Sequence, residues 1–360
     1  MPNHLARTYQ QARSDFLADA ARAGGEVISY KHPQTGLEGE ELAIDVAQFG
    51  GGEASSVLFV VSGTHGVEGY SGSALQRHLI SGYLADRSAE QAAALRVVLV
   101  HALNPVGFSW VRRVNEDNVD LNRNFIDWGG PLPADAGYDE IADLVVPQEW
   151  SADAQEASTA QLLEVVARVG LADFQARISS GQYRHKTGIF YGGAEKTWSH
   201  RWLEDHADML AGSATKVGIV DLHTGLGPWG HGELISHEAR SDAGYERGIQ
   251  WWGEVRSMAD GESVSAAVTG DWLGRSQVFL GQREVTAVAL EFGTVDVIAV
   301  LQSLRADAWL HAYGDPTGPD APAIRAKVRA AFADDDPLWI ETLAVRLDEV
   351  IAGSVAGLTN

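Results

Sequence analysis

Four short apolar runs constrain this chain more than any other feature: VLFVVS from Val57, RVVLVHA from Arg96, VGIVDL from Val217 and VTAVAL from Val285. Each is rich in β-branched residues and lacks the polar alternation of a half-solvated strand, the pattern of strands buried on both faces of a parallel sheet. A polar side chain follows each run closely: His65, Asn104, His223 and Glu291 in turn. Open parallel sheets bind ligands beyond the carboxyl ends of their strands, so these four tails, far apart in sequence, can converge on one site. Helix-like stretches between the runs, SGSALQRHLISGYL among them, predict α/β connections.

The rest of the chain is read around that sheet. Leu5 to Arg22 has an amphipathic helical pattern, and EVISY and ELAIDVAQF alternate as edge strands do. Residues 127–214 hold a helical piece near Ala157 to Val169 and the segment GQYRHKTGIFYGG, and are expected to form an insertion over the sheet edge. No Gly/Ser/Pro-rich linker divides the sequence, so one domain over residues 1–360 is expected. A formal net charge of −22 disfavours nucleic acid and anionic membranes as partners. Cysteine is absent, which removes disulfides, Cys-ligated zinc, iron–sulfur clusters and thiol catalysis and leaves His, Asp or Glu to hold any metal. The start lacks the apolar core of a secretory signal, and the best apolar stretch, VTAVALEFGTVDVIAVL, is broken by Glu291 and Asp296. A soluble, cytoplasmic protein is the expectation, with its oligomeric state open.

The chemistry-bearing residues lie at the strand ends. In SGTHGVEGYSGS, His65 and Glu68 stand three apart in a Gly-rich turn, a spacing that can bring both to one face. Alone this reads sooner as a turn histidine beside an exposed acid, but His223, ending another strand in DLHTG, completes a His₂Glu set, the open arrangement of catalytic zinc. Three protein ligands leave a position for water. Asp221, two residues before His223, can orient an imidazole or cap nearby backbone. Glu291 ends an apolar run in VAVALEFGT, where a buried charge needs a partner: a base beside zinc-bound water explains it, and so does a salt bridge to an arginine. The loop-like segment NPVGFSWVRRVNEDNVDLNRNF supplies Arg112, Arg113, Asn122 and Arg123, suited to carboxylate recognition and to stabilising an oxyanion, or to structural ion pairs. His231 and His237 follow the third ligand, His101 precedes Asn104, and Gln182 and Tyr183 stand in the insertion; each has a structural reading beside a site reading. Trp198, Trp202, Trp251 and Trp252 read as core.

GTHGVEG, NPVGF, VDLNRNF, DLHTG and LEFGT, in this order, resemble the M14 zinc carboxypeptidase clan and most closely its bacterial branch, the domain of unknown function DUF2817. The resemblance runs from YQQARSDFLADAARAGG to the final helices. It implies a single-domain α/β zinc-carboxypeptidase-like fold, with a mixed, mostly parallel sheet between helices. It further implies one zinc ion per chain held by His65, Glu68 and His223, Glu291 as general base, Asn122 and Arg123 as binders of a substrate carboxylate, and Arg113, or else Arg112, as the oxyanion-stabilising arginine. The implied activity is hydrolysis of an amide bond in a small molecule or short peptide bearing a carboxylate, carboxypeptidase-like. In digestive-type members a substrate-contacting tyrosine lies between the last ligand and the base; here Tyr245 is the only tyrosine in that interval and TGDWL occupies the nearer region. The DLH form of the third ligand also resembles aspartoacylases and succinylglutamate desuccinylases, so an N-acyl amino acid deacylase is the first alternative and a non-catalytic zinc- or ligand-binding protein the second.

Overall fold

The computed structural model describes residues 5–264 and 268–360. Eight strands form one mixed sheet: β1 (Glu26–Thr35), β2 (Glu41–Phe49), β3 (Ser56–Val61), β4 (Leu95–His101), β5 (Lys216–Trp229), β6 (Gly232–Ser236), β7 (Arg256–Ser257) and β8 (Glu284–Gly293). Their spatial order is β1-β2-β4-β3-β5-β8-β6-β7. The four apolar runs are the four central strands, β4, β3, β5 and β8, all mutually parallel. ELAIDVAQF, expected at an edge, is instead the interior strand β2, antiparallel to both β1 and β4; its alternation is overridden because six successive residues are buried. β6 and β7, which the sequence reading did not identify, extend the far side, and β6 runs antiparallel to β8.

The helices among the described residues are α1 (Tyr9–Arg22), α2 (Gly69–Leu79), α3 (Ala89–Ala94), α4 (Pro105–Trp110), α5 (Ala142–Val145), α6 (Ala152–Val169), α7 (Leu171–Ser179), α8 (Trp198–Ala211), α9 (Ala243–Trp252), α10 (Trp272–Leu280), α11 (Val297–Ala312), α12 (Ala321–Phe332) and α13 (Trp339–Thr359). The period of two along each strand sorts side chains between two helical layers. Leu58, Val60, Val97, Leu99 and Val220 pack with α1, α2, α9 and α13. Val57, Phe59, Val98, Val217 and Ile219 pack with α8 and α10 on the opposite face. Each such side chain, fully buried, contributes about 1.5 to 3 kcal/mol. A third cluster joins α4 to α5, α6, α7, α11 and α12 around segments that follow the strands' carboxyl ends. Within residues 127–214, α8 therefore lies on a sheet face rather than over an edge, while α5 and α6 are tied to α11, whose Arg305 donates to Leu144 O, Val145 O and Ser158 Oγ. None of the described helices is long and apolar enough to cross a membrane.

Candidate metal centre and active site

The turn after β3 is fixed by a close backbone approach. Gly66 N donates to Arg113 O at 3.1 Å and Val67 N to Arg112 O at 2.8 Å. A Cβ on Gly66 would stand 2.1 Å from the carbonyl carbon of Gly107 in α4, so only glycine fits there. The turn, clamped in this way, holds His65 and Glu68 inward, both buried.

His65 Nδ1 lies 2.8 Å from Glu68 Oε1, His223 Nδ1 lies 2.8 Å from Glu68 Oε2, and the two Nδ1 atoms are 3.2 Å apart. Tetrahedral bonds of about 2.0 to 2.2 Å place donor atoms slightly farther from one another than this, so a small outward shift of each side chain opens a centre for a divalent ion. The opposite nitrogen of each ring meets a carboxylate: His223 Nε2 is 2.7 Å from Asp221 Oδ2, and His65 Nε2 is 3.2 Å from Asp120 Oδ1. The Asp221 carboxylate, accepting from Nε2, leaves His223 Nδ1 free to face a metal, while His65 Nε2 lies between Asp120 and the Arg113 guanidinium. Both carboxylates are fully buried and anchored in turn, Asp221 by Thr64 Oγ1 at 2.8 Å and Trp272 Nε1 at 2.7 Å, Asp120 by Arg113 Nε at 2.9 Å. The donor set therefore fits a metal ion in type, convergence and support. Sequence reasoning reached Asp221 but missed Asp120, although Asp120 precedes Asn122 at the same two-residue spacing within VDLNRNF.

Burial opposes the ionised Glu68 carboxyl, but the charges of His65 and His223 outweigh it and hold the group below the usual carboxylate range. Burial also opposes the Asp120 charge, which the Arg113 guanidinium and His65 more than offset. Glu291 differs. The register aligns it with His223 on the neighbouring strand, and it accepts one hydrogen bond, from Leu226 N at 3.1 Å. Burial, reinforced by the negative charge of Glu68, raises its carboxyl well above the usual range. The arginine salt bridge weighed for Glu291 is not formed among the described residues.

A pocket of about 500 Å³ opens on this centre, with His65, Arg113, Asn122, Arg123, His223 and Glu291 in its wall. The arginines part company. Arg112 turns away into a buried pair, its Nε 2.9 Å from Asp307 Oδ2, with Asn118 Oδ1 accepting from Nη2 at 2.8 Å. It is a structural ion pair and is not brought to the pocket. Arg113 faces the centre, with Nη1 3.3 Å from Glu68 Oε1 and Nη2 2.8 Å from His65 Nε2. Arg123 donates to Ser179 O and to Asn122 O and forms no salt bridge with a carboxylate among the described residues; Asp120 and Asp271 act on its charge only from a distance. Burial and the like charge of Arg113 lower its pKa, against the pull of Asp120.

Phe190, which sequence reasoning did not single out within GQYRHKTGIFYGG, stands 5.3 Å from both guanidinium carbons, of Arg113 and of Arg123. It does so at φ 53°, a conformation costly for a bulky side chain and therefore enforced by its surroundings. Tyr183 braces Arg123 from behind, donating its hydroxyl to Arg123 O at 2.6 Å. Gln182 is buried in the hairpin, where its amide bonds neighbouring backbone. His237 lines the pocket, with Nδ1 2.8 Å from Asp271 Oδ2. His231 is exposed at the β5–β6 turn. His101 is a strand histidine bonded to Ser73 Oγ at 2.9 Å, Asn104 caps α4, and Trp202 is core.

No curated protein matches this chain. Among solved structures, that of thrombin-activatable fibrinolysis inhibitor is similar at a TM-score of 0.52 and 12% identity, over 98% of this chain and 74% of that one. Carboxypeptidase A from Helicoverpa armigera gives 0.49 and 12%, over 91% and 75%. An aspartoacylase family protein from Mesorhizobium loti gives 0.40 and 16%, over 82% and 68%. The first of these likenesses establishes a shared, carboxypeptidase-like fold. The family described as "Protein of unknown function (DUF2817)" matches residues 5–346, nearly the whole chain, and the chain belongs to that family.

Proposed function

We propose that this protein is a zinc-dependent hydrolase, with one zinc ion per chain on His65, Glu68 and His223, that cleaves an amide bond in a small carboxylate-bearing substrate. The observation that carries the reading is Glu291: a buried carboxyl with no cation paired to it, in register beside His223 and facing the pocket. A structural acid in that position is costly, whereas a base that must take up and release a proton needs a raised affinity for it.

When bound, zinc supplies a Lewis acid that polarises the carbonyl and lowers the pKa of the attacking water. Glu291 takes the proton of that water and returns it to the departing amine as the C–N bond breaks. Arg113, beside the donor set, donates to the oxygen that becomes negative at the tetrahedral stage. Asn122 and Arg123 hold the substrate carboxylate; the guanidinium supports this role because no protein carboxylate is hydrogen-bonded to it, which leaves its fork free for an arriving anion. Asp221 and Asp120 hold the histidine rings in the metal-facing orientation. Residues 127–214, read as an insertion, contribute α7 and Phe190 to the pocket wall and restrict substrates to small molecules or chain ends.

A carboxypeptidase-like action on the C-terminal residue of a short peptide and an N-acyl amino acid deacylation share this chemistry. Protein loaded with zinc, and the same protein stripped by a chelator, should be given short peptides and N-acyl amino acids, with products identified by mass. Zinc-dependent release of a free amino acid is the expected result. Equal turnover in stripped protein, or none on either class, would refute the reading.

A further inference from the structure

The pocket is far more apolar than its catalytic end requires. α7 turns Leu171, Phe174 and Ile178 toward it, spaced as one helical face, while its charged Asp173 and Arg177 stay out of the wall. From the other side α11 contributes Val297, Ile298 and Leu301, and its first seven residues, VIAVLQS, carry no charge. Stripes of this kind ordinarily close on each other as core. Here they part, and at the mouth Leu171 is 70% exposed, Val297 64% and Ile298 66%. On a surface carrying net charge −22, an aliphatic lip of this kind is unusual and needs an occupant. What identifies the occupant is continuity: the apolar wall is not a separate face but runs inward to the metal donors. α7 itself spans the distance, its last residue Ser179 seated on Arg123 and its first at the lip, roughly 12 Å away at helical rise. That is longer than a single amino-acid side chain.

We infer that the substrate is an N-acyl amino acid whose acyl group is an extended linear chain, lying between α7 and α11 with its free end toward the lip. The amino-acid carboxylate is then the group read by Arg123. Hydrolysis adds the oxygen of water to the acyl carbon, breaks the C–N bond and leaves the proton on the amine, releasing a fatty carboxylate and a free amino acid. The catalytic half of this inference rests on the hydrolase reading above; the chain-binding half does not.

Two measurements separate the halves. Calorimetric titration of the zinc-loaded protein with linear carboxylates from acetate to decanoate should show Kd tightening by about threefold to fourfold per buried methylene until the channel is full. In turnover, kcat/KM for an N-decanoyl amino acid should exceed that for its N-acetyl counterpart by at least about a hundredfold. Leu171→Asp and Ile298→Asp, both at exposed positions, should each flatten the chain-length dependence in both series. A Kd independent of chain length, or variants that keep the parental dependence, would overturn the inference. So would a dimer, seen by sedimentation and dissolved by Ile298→Asp, with flat chain-length dependence, because a second copy would then be what covers the lip. Steep chain-length binding without hydrolysis of any amide would keep the channel and sink the hydrolase reading. Hydrolysis indifferent to chain length would do the reverse.

Discussion

A glutamine at position 291 can still accept the hydrogen bond from Leu226 N but cannot carry a proton back and forth. Glu291→Gln should therefore keep metal and melting temperature while kcat falls by about 10² or more, the usual scale of general acid–base catalysis. Near-normal kcat with lost thermal stability would mark the residue as structural. The three arginines separate by the same logic. Arg112 and Asp307 form a buried ion pair, and breaking such a pair costs about 3 to 5 kcal/mol, so Arg112→Ala should unfold at markedly lower denaturant while its folded fraction retains parental kcat/KM. Arg123 has no acid partner to strand, so the effect of Arg123→Ala should appear in substrate recognition. A drop in kcat/KM of about 30-fold to several-thousand-fold is expected for a carboxylate substrate. Amidating that carboxylate should hurt the parent enzyme similarly and add little to the variant, since both changes delete one contact. Losses that multiply would remove Arg123 from the carboxylate site.

Elements decide what a sequence of this kind discloses. The strands β3, β4, β5 and β8 and the convergence of His65, Glu68 and His223 were legible because burial on both faces leaves an apolar run, and a polar residue soon after its end stands out. β2 was misplaced as an edge, since alternation alone does not say how many neighbours a strand has. The five-residue β6 was invisible because so short a run carries almost no pattern. Arg112 is held in an ion pair by Asp307, almost two hundred residues away on α11, which no local spacing could reveal, and this favours Arg113 for the proposed role. Phe190 and Asp120 belong to the same class: their partners arrive from distant elements. One local signal was available and strong, the glycine at 66. Gly66→Ala would drive a methyl into the backbone of Gly107, so the turn must lift away from α4. A loss of about 1 to 3 kcal/mol is expected, together with weaker zinc retention in a chelator competition, since two of the three proposed ligands ride on that turn. Unchanged retention would mean that the turn does not position them.

At the scale of the whole molecule, histidines buried in neutral form should make acid weaken the fold above the ordinary carboxylate range. His101 is fully buried and stacked on Phe16, and burial pushes its pKa down to about 4, while an unfolded histidine titrates near 6.5. Between those values the unfolded chain binds a proton that the native chain refuses, so the stabilisation present above about pH 6.5 is lost as the pH falls toward 4, on the order of 3 kcal/mol in all. His200, lowered to about 4, and His311, lowered to about 3, act in the same direction. Melting temperature should drop between pH 7 and 5, and His101→Gln should flatten that slope; parallel slopes would show that His101 is not responsible. The order of the strands also sets a timetable for synthesis. β3 has β5 as one neighbour, yet 158 residues separate His65 from His223, and β5 in turn awaits β8. A ribosome must finish most of the polypeptide before the middle of the sheet can close, and pairings so distant fold slowly. Until then His65 and Glu68 sit in a turn at the end of a strand with one open side. Metal capture at the proposed centre should accordingly be a late event in the life of each molecule, and the appearance of bound metal on a newly made chain would then time the completion of its folding.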